Sequence, residues 1–248
     1  MFLSSLLIDT GENPDRPRPG RLWLRNMYRV HQRLCMAFPT AARSENDPQF
    51  VQPYQRDDFI HVHGCRTNDQ AFLFRVDSLA GGRVVVLIQS AIKPDWDYGF
   101  HNAQHLLAAP PAIKLFDPQL AAGQRARFRL QANPTKRLRR ESPNASGDPT
   151  PQQWVGKRVA VPADKLQDWL ARRAESYGFH LRELTELCPG YVYVSRTPES
   201  AGGLRLRSVR YEGLLEVTDS ESLERAIIRG IGPAKAFGFG LLSLAPVR

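Results

Sequence analysis

The sequence predicts an α+β fold made of two tandem ferredoxin-like domains. Three observations carry this. Strand-like and helix-like segments follow a mixed β-α-β-β-α-β order, and the order restarts near residue 120. The chain has 248 residues, 42% hydrophobic and 24% charged, which is enough for two cores of ordinary globular composition. No apolar run approaches the roughly 18 residues that a membrane helix needs; the best, residues 84–88, has only the length of a strand. The expected boundary puts residues 1–118 in the first domain and 119–248 in the second. No sequence repeat is visible between the halves.

Phe2–Ile8 reads as the opening strand, and a Pro/Gly/Arg loop follows. Asn26 is a plausible N-cap for a helix with apolar residues at 27, 30, 34, 37 and 38, ended by Pro39. Residues 40–57 are polar and turn-rich, and FIHVHGC then reads as a short strand. Residues 71–76 and Val84–Ser90, joined through Gly81 and Gly82, form a hairpin. Residues 94–116 are interrupted by proline and carry only a weak helix signal. In the second half, Arg125–Ala132 is a strand and 133–157 a basic excursion rich in Pro, Ser and Gly. Residues 163–176 form a helix with Leu166, Trp169 and Leu170 inward. Segments 191–195 and Leu204–Val217 are strands, Ser220–Arg229 is a helix capped by Gly230, and 240–245 is the last strand.

Thirty-four Lys and Arg against 25 Asp and Glu leave a formal charge of +9, which points to a polyanionic partner. Seven basic residues and no acidic one lie in 125–140, alternating with Phe128 and Leu130, as expected of a binding groove. Gly230, Gly232, Gly238 and Gly240 crowd into GIGPAKAFGFG. Glycines allow close backbone approach to phosphate, and Lys235 at the centre suits that reading. A helix cap followed by a tight turn is the plainer one. No GxxxxGK[ST] is present, and a Rossmann glycine would have to replace Lys235. In KAFGFG, Phe237 and Phe239 resemble an RNA-stacking aromatic motif. The N-terminal stretch turns acidic at once and does not read as a signal peptide. Cys35, Cys65 and Cys188 form no CxxC, so a reducing, cytoplasmic setting is expected.

The opening strand, a helix bearing YxxH, the segments FLFRVD, VVVLIQS and PDW, then RLQANPTKR and the terminal GIGPAKAFGFGLLSLAP, together resemble the CasE family. These are the CRISPR repeat-processing endoribonucleases of type I-E systems. The resemblance spans nearly the whole chain, although residues 41–69 are longer than the family's usual link. It implies tandem ferredoxin-like domains, binding of a repeat RNA hairpin and cleavage at its base without metal or other cofactor. It also implies retention of the guide RNA among the other Cascade subunits, with no membrane partner.

By spacing alone, Tyr28 and His31 lie on one flank of the first helix, with Arg29 and Arg33 on the other. That pattern fits a boundary histidine beside a packing tyrosine. The resemblance implies instead that Tyr28 and His31 are catalytic. A histidine titrating near neutrality can move protons, and tyrosine stays protonated as donor or orienting group. The family often has a basic residue five positions after the histidine. Met36 stands there, so charge stabilisation is expected from Arg33 or Lys136. Lys136, Arg137, Arg139 and Arg140, with Lys157 and Arg158, match the family's stem-gripping basic hairpin. Two other readings remain: an RNA-binding module without catalysis, and a metalloenzyme using His61, His63 and Cys65 or His101 and His105.

Overall fold

The structure, a computed structural model, describes residues 1–11, 18–38, 72–80, 83–141, 149–195 and 203–247. The 59–65 strand and the Gly81 and Gly82 turn lie outside these residues. The chain divides into two compact units. The first comprises Met1–Gln119, Val192–Arg205 and Lys235–Leu241; the second comprises Leu120–Tyr191, Leu206–Ala234 and Leu242–Arg248.

In the first unit the elements are β1 (Phe2–Ile8), α1 (Pro19–Leu24), α2 (Met27–Met36), β2 (Phe72–Ser78), β3 (Val84–Ser90), α3 (Trp96–Phe100) and β4 (Ala112–Leu115). The sheet runs β2-β3-β1-β4 with antiparallel neighbours. Leu6 pairs with Val86 and Ser4 with Ile88, and all four are buried. The weak helix expected over 94–116 is corrected. α-Helix survives only at Trp96–Phe100, where the Asp95 side chain accepts from Tyr98 N at 2.9 Å, and a single 3-10 turn follows at Gln104–Leu106. Pro110 and Pro111, which lack N–H donors, precede a strand that the sequence reading missed. All four β4 residues are exposed, so no alternation marks it; the open edge of β1 recruits it, Phe2 against Leu115.

The second unit repeats the plan with β5 (Arg125–Ala132), α4 (Leu166–Ser176), β8 (Phe179–Val194), β9 (Leu204–Val217), α5 (Ser220–Arg229) and β10 (Leu242–Pro246), the last residues of β8 and first of β9 belonging to the first unit. Sheet order β10-β5-β9-β8 is the same split β-α-β arrangement as in the first unit. A separate ribbon, β6 (Thr135–Arg137) and β7 (Arg158–Ala160), is inserted after β5. β8 begins twelve residues before the expected 191–195, as an edge strand held by charge pairs rather than apolar alternation.

The arginines of β5 also correct the groove reading. Phe128 and Leu130 are buried core residues, and the basic residues alternate onto the other face. There Arg125 pairs with Glu216 at 3.1 Å and Arg129 with Glu212 at 2.8 Å, their directly opposite partners in β9. Hydrogen bonds from Arg182 and Arg125 hold the Glu216 carboxylate down at about 2. Its contribution to stability is complete above the ordinary value near 4.5 and disappears as pH falls toward 2. An NMR titration should therefore place the Glu216 midpoint near 2, and Glu216→Gln should flatten the acid limb of the stability curve. A midpoint near 4.5 would show that the arginine fork is open in solution.

Candidate functional site

Helix α2 starts where Asn26 leaves extended backbone and its side-chain oxygen accepts from Tyr28 N at 3.1 Å. Such a cap is worth about 1 kcal/mol. The same side chain also exchanges hydrogen bonds with Ser195, donating to its carbonyl at 2.8 Å and accepting from its N–H at 3.1 Å. Asn26 thus ties the start of the helix to the end of β8, a role that capping signals do not reveal.

Met27, Val30 and Leu34 face the core, and Tyr28 is nearly as buried, at 9% exposed. His31 is half-buried. Its ring stacks on Phe72 at 5.5 Å and Phe74 at 6.4 Å, and its Nε2 lies 3.5 Å from Cys35 Sγ one turn along. Cys35 was legible as a neighbour from its i+4 spacing; the phenylalanines were not. Arg33 donates to Gly99 O at 3.2 Å and Asn102 Oδ1 at 2.7 Å, and burial lowers its pKa. Its guanidinium therefore braces the end of α3. Arg29 is the exposed cation of that flank.

All four glycines of the C-terminal segment take φ between 74° and 90°. Gly230 caps α5 through its N–H to Ala226 O, and Gly232 packs by Trp169, both in the second unit. Lys235, Gly238 and Gly240 belong to the first unit, where the turn at Lys235–Phe237 contacts α2 and β2. At Gly238, φ is +84° and a Cβ would come within 3.2 Å of the Phe74 ring. A left-handed residue with no room for a side chain explains this glycine by conformation alone. The segment crosses the β2 edge: Gly238 abuts Phe74, while Arg75 Nη1 donates to Leu241 O at 3.3 Å. Arg75 is itself locked in a buried fork with Asp77 at 2.8 Å. Tyr28 and His31 thus share a unit with Lys235, Gly238 and Gly240. Phe239 is fully buried, which corrects its reading as a base-stacking residue; Phe237 remains half-exposed.

In the β6–β7 ribbon, Lys136 pairs with Val159 and Arg137 stands directly opposite Arg158. Leu138 N donates to Lys157 O at 2.9 Å and Gly156 N to Leu138 O at 2.8 Å, extending the ladder. Lys136, Arg137, Arg139, Arg140, Lys157 and Arg158 are all exposed. Among the described residues no ion pair involves Lys136, Arg137, Lys157 or Arg158. Arg173 on α4 lies over the Trp169 ring, 4.2 Å from its centroid, and burial lowers its pKa, with Tyr177 opposing and the neighbouring Arg158 and Arg172 adding to that shift. This ribbon lies in the second unit, as do Gly230 and Gly232.

His101 is the C-cap of α3, with Nδ1 2.7 Å from Tyr98 O, and the chain bends before His105. His61, His63 and Cys65 lie outside the described residues. Among the described residues no cluster of three or more His, Cys, Asp or Glu could hold a metal ion. Among the described residues no helix is long and apolar enough to cross a membrane.

Paired β-α-β-β-α-β units, a Tyr-His pair on the first long helix and an exposed basic ribbon define a class: tandem ferredoxin-like proteins with a cationic ribbon on the second unit. Residues 1–246 match the family model described as CRISPR associated protein. The chain is 42% identical, over 99% of its length and all of the relative's, to the CRISPR-associated endoribonuclease Cse3 of Thermus thermophilus. It is 28% identical, over all of both chains, to the Cascade subunit CasE of Escherichia coli. A solved structure of Cse3 bound to 19-nucleotide RNA covers 99% of this chain and all of its own, with TM-score 0.68 and 31% identity. Cse3 bound to an RNA representing a pre-cleavage complex gives TM-score 0.65 at 31% identity, covering 99% of this chain and 98% of that one. The chain belongs to the CRISPR associated protein family, in its CasE/Cse3 branch.

Proposed function

We propose that this protein is a CRISPR endoribonuclease working in the cytoplasm. It binds the repeat hairpin of precursor guide RNA, cuts at the base of the stem without metal, and stays on the product among the other Cascade subunits. The relatives' names and the RNA-bound neighbours support this reading. The observation that carries it in this chain is Arg137 facing Arg158 across an exposed two-stranded ribbon. Like charges directly opposite destabilise a ladder. A polyanion relieves that repulsion, and the narrow major groove of an A-form stem presents phosphates on both sides. His31 moves the protons and Tyr28 orients or donates, so that the RNA's own 2′-OH attacks the adjacent phosphate. Lys235, half-exposed in the same unit, suits stabilisation of the phosphate; Gly230, Gly238 and Gly240 are buried, and Arg33 is already braced on α3, so these suit it less.

Replacing Arg137 and Arg139 with alanine tests the grip. The slope of log K against log salt should become shallower by roughly one to two, because each lost phosphate contact releases fewer counterions. An unchanged slope would remove the ribbon from the interface.

A second reading, an RNA-binding module without catalysis, draws on the packing of Tyr28 and the contact between His31 and Cys35. A cleavage assay on hairpin RNA separates the two.

A further inference from the structure

The chain has four tryptophans, and three have structural work. Trp96 and Trp169 are buried, and Trp23 sits edge-on to Phe100 while donating to Arg29 O. Trp154 is different. It is 46% exposed at the end of a 3-10 turn that leads into the basic ribbon. The turn is well held: Trp154 N donates to Pro151 O at 2.9 Å, Val155 N to Gln152 O at 3.2 Å and Lys157 N to Trp154 O at 3.1 Å. Arg137 Nε closes it by donating to Gly156 O at 3.1 Å. The Lys157 ammonium stands over the indole, 4.4 Å from the ring centroid. A large apolar ring is therefore fixed at the surface, next to Arg137, Lys157 and Arg158, where the expected partner is a polyanion.

We infer that Trp154 is an RNA-contacting residue that stacks on an unpaired base of the bound RNA, in its loop or flanking strand. An indole offers a flat π-surface that any base can share, and a nearby cation strengthens such a site by holding the phosphate alongside. Paired bases inside a stem have both faces covered by their neighbours, whereas an unpaired base can be splayed out to present one. The phosphate contacts of the ribbon follow the shape of the stem, and Trp154 adds a contact that depends on where the stem ends. The inference rests on the ribbon being the RNA grip, and the test separates the two.

Labelled repeat hairpin is titrated with the full-length protein and with Trp154→Leu and Trp154→Phe. Leucine should weaken binding about tenfold, within the range for loss of one base–aromatic stack, and phenylalanine should recover most of it. The salt slope should stay at its wild-type value in both, because no charge is lost. RNA should quench a component of tryptophan emission that is missing in Trp154→Phe. The leucine penalty should disappear on a hairpin whose unpaired nucleotides are abasic. If wild type binds and Trp154→Leu binds equally well, the inference fails, while the grip is judged separately by the salt slope of the Arg137 and Arg139 variant. If wild type does not bind the hairpin, both fail. A penalty that persists on the abasic hairpin, or that affects assembly with Cascade subunits and not RNA binding, assigns Trp154 another partner and overturns the inference.

Discussion

Replacing His31 with alanine is expected to slow cleavage of a repeat hairpin by about 100-fold or more, the scale for losing a positioned acid–base group. Hairpin affinity should remain within a few-fold of wild type, because the stem grip is assigned to β6 and β7 and not to α2. The chemistry sets further outcomes. Attack by the RNA's 2′-OH leaves a 2′,3′-cyclic phosphate upstream and a 5′-OH downstream. One 2′-deoxy nucleotide just before the cut should abolish cleavage and spare binding, and EDTA should change nothing if no metal-bound water takes part. Mass spectrometry of the products and a single-turnover gel measure all of this. If His31→Ala cuts as fast as wild type, the histidine is only a boundary residue stacked on Phe72 and Phe74. Cleavage of the deoxy substrate would point to attack by water, and inhibition by EDTA would favour the metal reading of His61, His63 and Cys65.

The second large effect concerns stability. Asp77→Ala should cost about 3–5 kcal/mol in urea unfolding, because it leaves the Arg75 charge buried with its carboxylate removed. The side chains of the pair are 3% and 10% exposed and joined in a fork, Nε to Oδ1 and Nη2 to Oδ2, each at 2.8 Å. The double variant Arg75→Met with Asp77→Leu should recover most of that loss, since two apolar residues do not carry the desolvation penalty. It would still lack the bond to Leu241 O, and the Lys235–Leu241 segment should lose hydrogen-exchange protection. A cost below about 1 kcal/mol for Asp77→Ala would mean that the fork is solvated in solution and anchors nothing.

The candidate site was legible where its signals are local. Tyr28 and His31 share a helix flank because one turn of helix brings residues three apart together, and Asn26 before them supplies a side-chain acceptor for the first turn. The basic ribbon was legible as a run of one sign with proline and glycine at its bends. Its opposition of Arg137 to Arg158 was not, because register is set between strands twenty-one residues apart. Phe239 was misread for a related reason: alternating aromatics look alike whether they face solvent or a core, and only packing decides.

Short-range chemistry written in the sequence determined the two helices with clear caps, the paired strands β2 and β3, the turn at Gly230 and the excess of positive charge. The helices, the turn and the charge depend on contacts within about four residues or on composition, and the hairpin on partners only six to eighteen positions apart. Tertiary structure alone decided the rest. It recruited exposed β4 to the open edge of β1, placed Glu212 and Glu216 against the arginines of β5, and carried Gly238 across the β2 edge to Phe74. Those outcomes join residues more than 80 positions apart. Unpaired backbone groups at a sheet edge, buried charge and close packing select them, and these forces act only once the chain is folded.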